Sequence, residues 1–395
     1  MRHGRIWMLV PALAAFLLLC ACARLYDGTY VSVTEREETE LNTDSEGQFY
    51  LVHTYAGMRN ALEALISDGA ESGMIRVQNY DGSVADDIAR ICLDETKDSA
   101  LGSYAVDYIT HSVNRILSYD EVQLHIRYRR SKEELDAVVS TPSLADMYRL
   151  VDDALIDRSD RLSVQIATLA VTEKTLLNYV QSFYQQHPDQ LSAQPAVSVA
   201  FYPDESSVNK VIAFSFNYRY TGEEEQARLA ELNAAADQLT ADLNELSAAE
   251  AALLCCNRIR EVAVPRNGGN TAYDVLADGS GNSAGFAMAY QLLCSRCGIP
   301  CQVVEGRKGG EVHSWNIVKL GRSYYHVDCC SGATIDVPAN FLLSDGALIG
   351  EYWWDVDRYP SCQGELRPEY VVELLVSRQG NWLSDPAASD LLPAR

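Results

Sequence analysis

Residues 273–287 read Tyr-Asp-Val-Leu-Ala-Asp-Gly-Ser-Gly-Asn-Ser-Ala-Gly-Phe-Ala, and this stretch decides the fold of the C-terminal part of the chain. Gly279 and Gly281 make a turn, Ser283 follows, and the apolar run Met288–Cys294 continues at helical length before Gly298-Ile299-Pro300. The pattern predicts a helix that opens at Ser283. Exposed amides and the positive end of the helix dipole at such a position favour an anion or an activated nucleophile. Two segments come next. Val312-His313-Ser314-Trp315-Asn316 alternates as a strand does, and Tyr324-Tyr325-His326-Val327-Asp328 follows a loop containing Gly321. Together they read as an antiparallel hairpin. Pairing across it predicts Asp328 beside His313, where a carboxylate accepting the imidazole N–H fixes the tautomer and stabilises the imidazolium.

In order and spacing these segments resemble the transglutaminase-like core of bacterial extracytoplasmic proteins, with its motifs G-x-C-x-G-[YF]-A, G-I, H-[AS]-W-N-x-V and [WY]-Y-x-V-D. The resemblance runs from Tyr273 to beyond Asp328. It implies a papain-like α+β domain, a nucleophile-bearing helix packed on an antiparallel sheet that carries the His and Asp. Family members act as cysteine-dependent acyl transferases, amidases or peptidases without metal or cofactor, and some are non-catalytic. Carried over by position, Ser283, His313 and Asp328 are the catalytic candidates. Two departures stand out: Ser283 replaces the motif cysteine, and Cys329-Cys330-Ser331 stands where the family has a Thr-Trp pair.

A serine hydroxyl cannot form the resting thiolate–imidazolium pair and must lose its proton during attack. A thiol site given a serine loses most of its rate, several kcal/mol of barrier. Cys294 lies roughly 16 Å along the same predicted helix at 1.5 Å per residue, too far to substitute. Cys330 is expected to share a strand face with Asp328 and, with Tyr273 and Trp315, to line the cleft. Trp315 and Asn316 also fit packing and hairpin roles. Three readings stay open: an inactive module binding an extended peptide or cell-envelope component; an acyl transferase or amidohydrolase using Ser283, His313 and Asp328; and a spacer whose upstream domains bind the partner. The remaining histidines, His326 included, receive no role, and Phe341, Trp353, Trp354 and Tyr359 read as packing.

At 395 residues and 47% apolar content, the chain is long enough for two or three domains. Arg2 and Arg5 precede the apolar run Ile6–Leu19, the pattern of a secretory leader. Leu19-Cys20-Ala21-Cys22 resembles the lipobox of bacterial lipoproteins, which implies cleavage after residue 21, lipidation of Cys22 and anchorage to the outer face of a membrane. The net charge of −23 becomes more negative without the leader, excluding nucleic-acid partners, whose phosphates require lysine and arginine. Nine cysteines follow Cys22. Cys294-x2-Cys297-x3-Cys301 lacks a second CxxC and a suitably spaced His, so no metal is expected; buried free thiols or one or two disulfides fit better.

Residues 22–47 read as an acidic tether. Val122–Glu134 then aligns with Ile212–Glu224 at a spacing of 90, with Tyr128/Tyr218 and Arg129/Arg219 coinciding. Met74–Val77 and Val164–Leu169 read as strands, Val84–Glu95 and Thr172–Gln185 as amphipathic helices, and Tyr104–Ile109 and Ala196–Tyr202 as further strands. Two tandem α+β repeats of the βαββ type, 48–137 and 138–226, are therefore expected. A connecting helix at 227–246 leads to the C-terminal domain, 247–395, which opens on the capping box Ser247-Ala-Ala-Glu250.

Overall fold

The computed structural model describes residues 40–44, 47–330 and 340–383. The leader, Cys22, most of the acidic segment and the C-terminal tail lie outside the described residues. The chain divides into two compact units, one running to Thr96 and including Val106–Tyr128, the other comprising Lys97–Ala105 and the chain from Arg129 onward. Among the described residues, no helix is long and apolar enough to cross a membrane.

In the first unit β1 (Glu40–Asp44) and β2 (Gly47–Val52) precede α1 (Tyr55–Ser67), β3 (Ser72–Gln78), α2 (Val84–Lys97), β4 (Val106–Ile116) and β5 (Tyr119–Tyr128). The sheet order is β1-β2-β3-β5-β4, with β2 and β3 parallel and the other neighbours antiparallel. Thr54 caps α1 by accepting the Gly57 amide at 2.9 Å, and Met58, Ala61, Leu62 and Leu65 are buried at helical spacing. Val122, Leu124 and Ile126 alternate inward from β5. Residues 40–44 thus depart from the expected tether: pairing from Glu40↔Leu51 to Asp44↔Gly47 takes up backbone groups that a tether would leave to water.

The second unit opens with α3 (Ala100–Ala105), whose first turn is capped by Ser99, its Oγ 3.0 Å from the Gly102 amide. Tyr104 and Ala105 therefore end a helix, and the strand expected at Tyr104–Ile109 starts only at Val106. Next come α4 (Lys132–Asp136), β6 (Val138–Ser140), α5 (Leu144–Ile156), β7 (Arg161–Ala167), α6 (Glu173–Gln186), β8 (Ala196–Tyr202) and β9 (Asn209–Asn217), with sheet order β6-β7-β9-β8. Capping boxes start α7 (Gly222–Thr240) at Thr221/Glu224 and α8 (Ala248–Val262) at Ser247/Glu250, the latter as the sequence predicts. The two-residue strands β10 (Val264–Pro265) and β11 (Ser280–Gly281) pair in parallel around α9 (Ala272–Leu276) and deliver the chain to α10 (Ser283–Arg296). Then follow β12 (Cys301–Lys308), β13 (Glu311–Leu320), β14 (Ser323–Val327), α11 (Asp345–Leu348), β15 (Tyr352–Trp354) and α12 (Pro368–Leu383), the strands forming an antiparallel sheet in the order β14-β13-β12-β15.

The boundaries expected near 226 and 247 do not separate two cores. Met147, Phe214, Leu232, Cys255, Phe286 and Val318 belong to one buried cluster. Glu305 on β12 accepts from Gln185 on α6 at 2.7 Å and from Gln181, and Gln291 of α10 donates to the Gln186 carbonyl at 3.1 Å. α10 is buried at every position from Gly285 to Cys294, so it shows no amphipathic stripe and reads as the central helix of this unit.

Candidate active site

Ser283 is the first residue of α10. Asn282 caps the helix, its Oδ1 accepting the amides of Ala284 at 3.0 Å and Gly285 at 3.1 Å, while its own amide donates to the Gly269 carbonyl at 2.8 Å. Gly285 is required by packing: a Cβ there would meet the Gly269 and Thr271 carbonyl oxygens at 2.8 and 3.0 Å. The helix end is thereby pressed against the 269–271 turn, which fixes where Ser283 stands. Its Oγ accepts the Ser314 amide at 3.2 Å. The last β13–β14 rung is Asn316↔Val327. Backbone groups two residues apart point to the same side of a strand, so Ser283 takes the amide that β14 would have taken had it continued.

His313 Nε2 lies 2.8 Å from Asp328 Oδ2. Continued one step, the β13–β14 register sets Asp328 opposite Trp315, diagonal to His313 on the same face, which is how the hairpin brings the pair together. Asp328 is 2% exposed and well supplied with donors. Tyr352 Oη donates to Oδ2 at 2.7 Å, the Cys330 amide donates to Oδ1 at 3.1 Å, and Lys308 Nζ stands 3.6 Å from Oδ2. Lys308 also reaches Glu351 at 3.5 Å. With Nε2 held by the carboxylate, Nδ1 of His313 is the nitrogen left for proton transfer.

Trp315 does not line an open cleft. It is 1% exposed and forms the layer beneath His313, whose ring stacks at 6.2 Å, with Tyr352 and Trp354 edge-on to it. Gly306, opposite His313 on β12, leaves room for the indole, since a Cβ would come within 2.7 Å of the ring. The indole N–H donates to His326 Nδ1 at 3.0 Å, and His326 Nε2 lies 2.9 Å from Asp345 Oδ1. An indole nitrogen only donates, so His326 carries its proton on Nε2 and gives it to Asp345. Burial lowers the His326 pKa against the opposing pull of Asp345. Burial works to raise Asp345, but hydrogen bonds from Ser361, His326 and the Cys362 amide outweigh it and hold the carboxyl below its ordinary value. His326 is thus a structural member of the site's support, missed in the sequence because its partner Asp345 lies 19 residues on.

His326, Asp345 and Cys362 bring ligand atoms within 4.8 Å of one another. A cation on Nε2 would demand an imidazolate, because Trp315 already donates to Nδ1, so this trio fits a hydrogen-bond relay and not a metal centre.

Tyr273 and Cys330 depart from their expected places. Tyr273 donates its hydroxyl to Glu231 Oε2 at 2.5 Å and lies under the Arg228 guanidinium at 3.5 Å, so α7 claims it. Cys330 sits in a turn after β14, not on its face, and burial pushes its thiol up to about 11. Cys294 and Cys329 are buried, and desolvation raises both well above the ordinary thiol value. Lys308 and Tyr352 were not singled out by the sequence; alternation about Gly306 is the signal that places Lys308 on the His313 face. Trp353, read as packing, is 66% exposed, whereas Phe341 and Trp354 are buried.

Residues 233–329 match the Transglutaminase-like superfamily. Ser283, His313 and Asp328 all fall inside that segment, which makes it a transglutaminase-like domain within a mixed α+β chain. Solved structures similar to this chain include a TGase (11% identity, TM-score 0.25, covering 72% of this chain and 59% of that one). A putative cysteine protease from Cytophaga hutchinsonii matches at 13% identity and TM-score 0.23, covering 40% of this chain and 73% of that one. LapG from Legionella pneumophila matches at 10% identity and TM-score 0.23, covering 40% and 91%. This chain therefore spans 59% of the length of the TGase it resembles. No curated protein matches.

Proposed function

We propose that this chain is a lipid-anchored, extracytoplasmic module whose transglutaminase-like cleft binds an extended peptide of the cell envelope without turning it over. The observation that carries the reading is the identity of the residue at the helix terminus beside the His313–Asp328 pair. It is Ser283, in the place of the family's cysteine, and desolvation raises the thiols of Cys294, Cys329 and Cys330 above their ordinary value. A site so equipped keeps its shape and lacks a thiolate. Anchorage rests on the leader and on Cys22.

A docking surface lies beside Ser283. α10 covers one face of the sheet, its Ala287 carbonyl accepting Asn316 Nδ2 at 2.9 Å. On that same face, Val312, Arg307 and Trp353 form one row across β13, β12 and β15, and all three are exposed. Such a row suits the side chains of an extended peptide. Binding of synthetic envelope peptides, followed by calorimetry and by mass spectrometry of the peptide, tests the proposal. Affinity that survives Ser283→Ala, falls at least tenfold in Trp353→Ala and leaves the peptide chemically unchanged supports it; cleavage or acyl transfer that stops in Ser283→Ala overturns it.

One observation favours a second reading, an acyl transferase or amidohydrolase using Ser283, His313 and Asp328. Asp328 holds the His313 ring through Nε2, the carboxylate–imidazole pair that attack by Ser283 would use. The tandem-repeat reading of the upstream segments is supported by the shared strand order β2-β3-β5-β4 and β6-β7-β9-β8, each opening on a parallel pair joined by a helix.

A further inference from the structure

The buried side of α10 away from Ser283 is rich in sulfur. Cys255 and Cys256 come from α8, Cys294 and Cys297 from the end of α10, Cys301 from the start of β12, and Cys329 from the turn after β14. Nothing in the proposed binding or chemistry uses them. Cys255 meets Cys294 as well as Cys297, Cys294 meets Cys301, and Cys256 meets Cys329; the Cys255–Cys297 pair joins a buried thiol to a partly open one and links two helices. Cys255 Sγ and Cys297 Sγ approach to 3.9 Å, the contact distance of two sulfurs, across 42 residues of chain. Cys255 is fully buried, whereas Cys297, the C-terminal cap of α10, is partly open to solvent. Cys294, one turn earlier, is also fully buried and out of reach of a soluble reagent.

We infer that Cys255 and Cys297 are a thiol–disulfide modification site, in which Cys297 is the entry thiol and Cys255 the resolving thiol. The co-reactant is a low-molecular-weight disulfide such as oxidised glutathione. Cys297 as thiolate attacks one sulfur of that disulfide, forming a mixed disulfide and releasing one glutathione thiolate. Cys255, deprotonated in turn, attacks Cys297 Sγ, closes the protein disulfide and releases the second glutathione thiolate. The protein loses two electrons and two protons, and one disulfide becomes two thiols. The hydrogen bond to Cys255, with burial, raises the Cys297 thiol above its ordinary value, so exchange accelerates on alkalinisation. The closed bond ties α8 to the C-terminal end of α10, whose other end carries Ser283.

The test uses the full chain, reduced and then incubated folded with oxidised glutathione at mildly alkaline pH, quenched with acid, alkylated under denaturing conditions and mapped by mass spectrometry. The expected product is one intramolecular link joining Cys297 to Cys255, with fragment ions separating Cys255 from its neighbour Cys256. Cys255→Ser stops at a glutathione adduct on Cys297, and Cys297→Ser takes up no glutathione at Cys255. Recovery of both residues fully alkylated, a stable adduct on Cys297 of the unsubstituted chain, or a link between other cysteines overturns the inference. The mapping of the unsubstituted chain decides even where a variant fails to fold.

Discussion

Replacing Asp328 with Asn keeps the shape of the residue and removes its charge, and the structure sets the size of the effect. Oδ2 accepts from His313 Nε2 at 2.8 Å and Tyr352 Oη at 2.7 Å, and Oδ1 accepts the Cys330 amide at 3.1 Å. Hydrogen bonds to a charged acceptor contribute roughly 1 kcal/mol more than neutral ones. An amide presents N–H groups in place of one carboxylate oxygen, so either the Cys330 amide at Oδ1 or the Tyr352 and His313 donors at Oδ2 are left facing a donor. Lys308 loses a partner but keeps Glu351, and at 21% exposure it adds little. The expected loss is about 3 kcal/mol, measured as a lower urea midpoint at unchanged slope. Tyr352→Phe, which deletes a single donor, is expected to cost about 1 kcal/mol, and the double variant should fall short of the sum because the two share one oxygen. A loss below about 0.5 kcal/mol for Asp328→Asn would refute the carboxylate-centred geometry.

Three further outcomes follow from the same structure. The His326 pKa is lowered below its ordinary 6.5 by burial, so as pH falls through 6.5 the unfolded chain takes up the proton first. Its stabilising contribution is complete above that value and is lost on acidification toward the folded value, with Asp345, also lowered, acting in the same direction at lower pH; His326→Phe should flatten the stability–pH slope just below 6.5. Gly285→Ala forces a Cβ against two carbonyl oxygens and is expected to destabilise by about 1–3 kcal/mol in thermal melts. Closing Cys255 to Cys297 should stabilise by about 4 kcal/mol for a loop of 42 residues, read as a reductant-sensitive shift in the urea midpoint.

How far the sequence disclosed the site depended on how local each signal was. The start of α10 and the capping box of α8 were readable because a turn, a cap and a following apolar run are adjacent in the chain. The His313–Asp328 pairing was readable because a hairpin's register is set by one short loop. His326 was not, since its role comes from Trp315 on the neighbouring strand and from Asp345 beyond β14. Tyr273 was misplaced for the same reason: its partners, Arg228 and Glu231, belong to α7, about 42 residues earlier. Cys330 failed because strand alternation was extended past the point where the chain turns. The segment 40–44 carries no apolar alternation, and only its pairing with β2 makes it a strand.

On the proposed reading, the cleft keeps the form of an acyl-transfer site while Ser283 does not act as a nucleophile. Incubation of the folded chain with a fluorophosphonate probe, read by intact mass beside Ser283→Ala, tests it most directly. Neither protein is expected to carry an adduct. A single adduct on the unsubstituted chain that maps to Ser283 and disappears in Ser283→Ala would contradict it and establish the serine mechanism in its place.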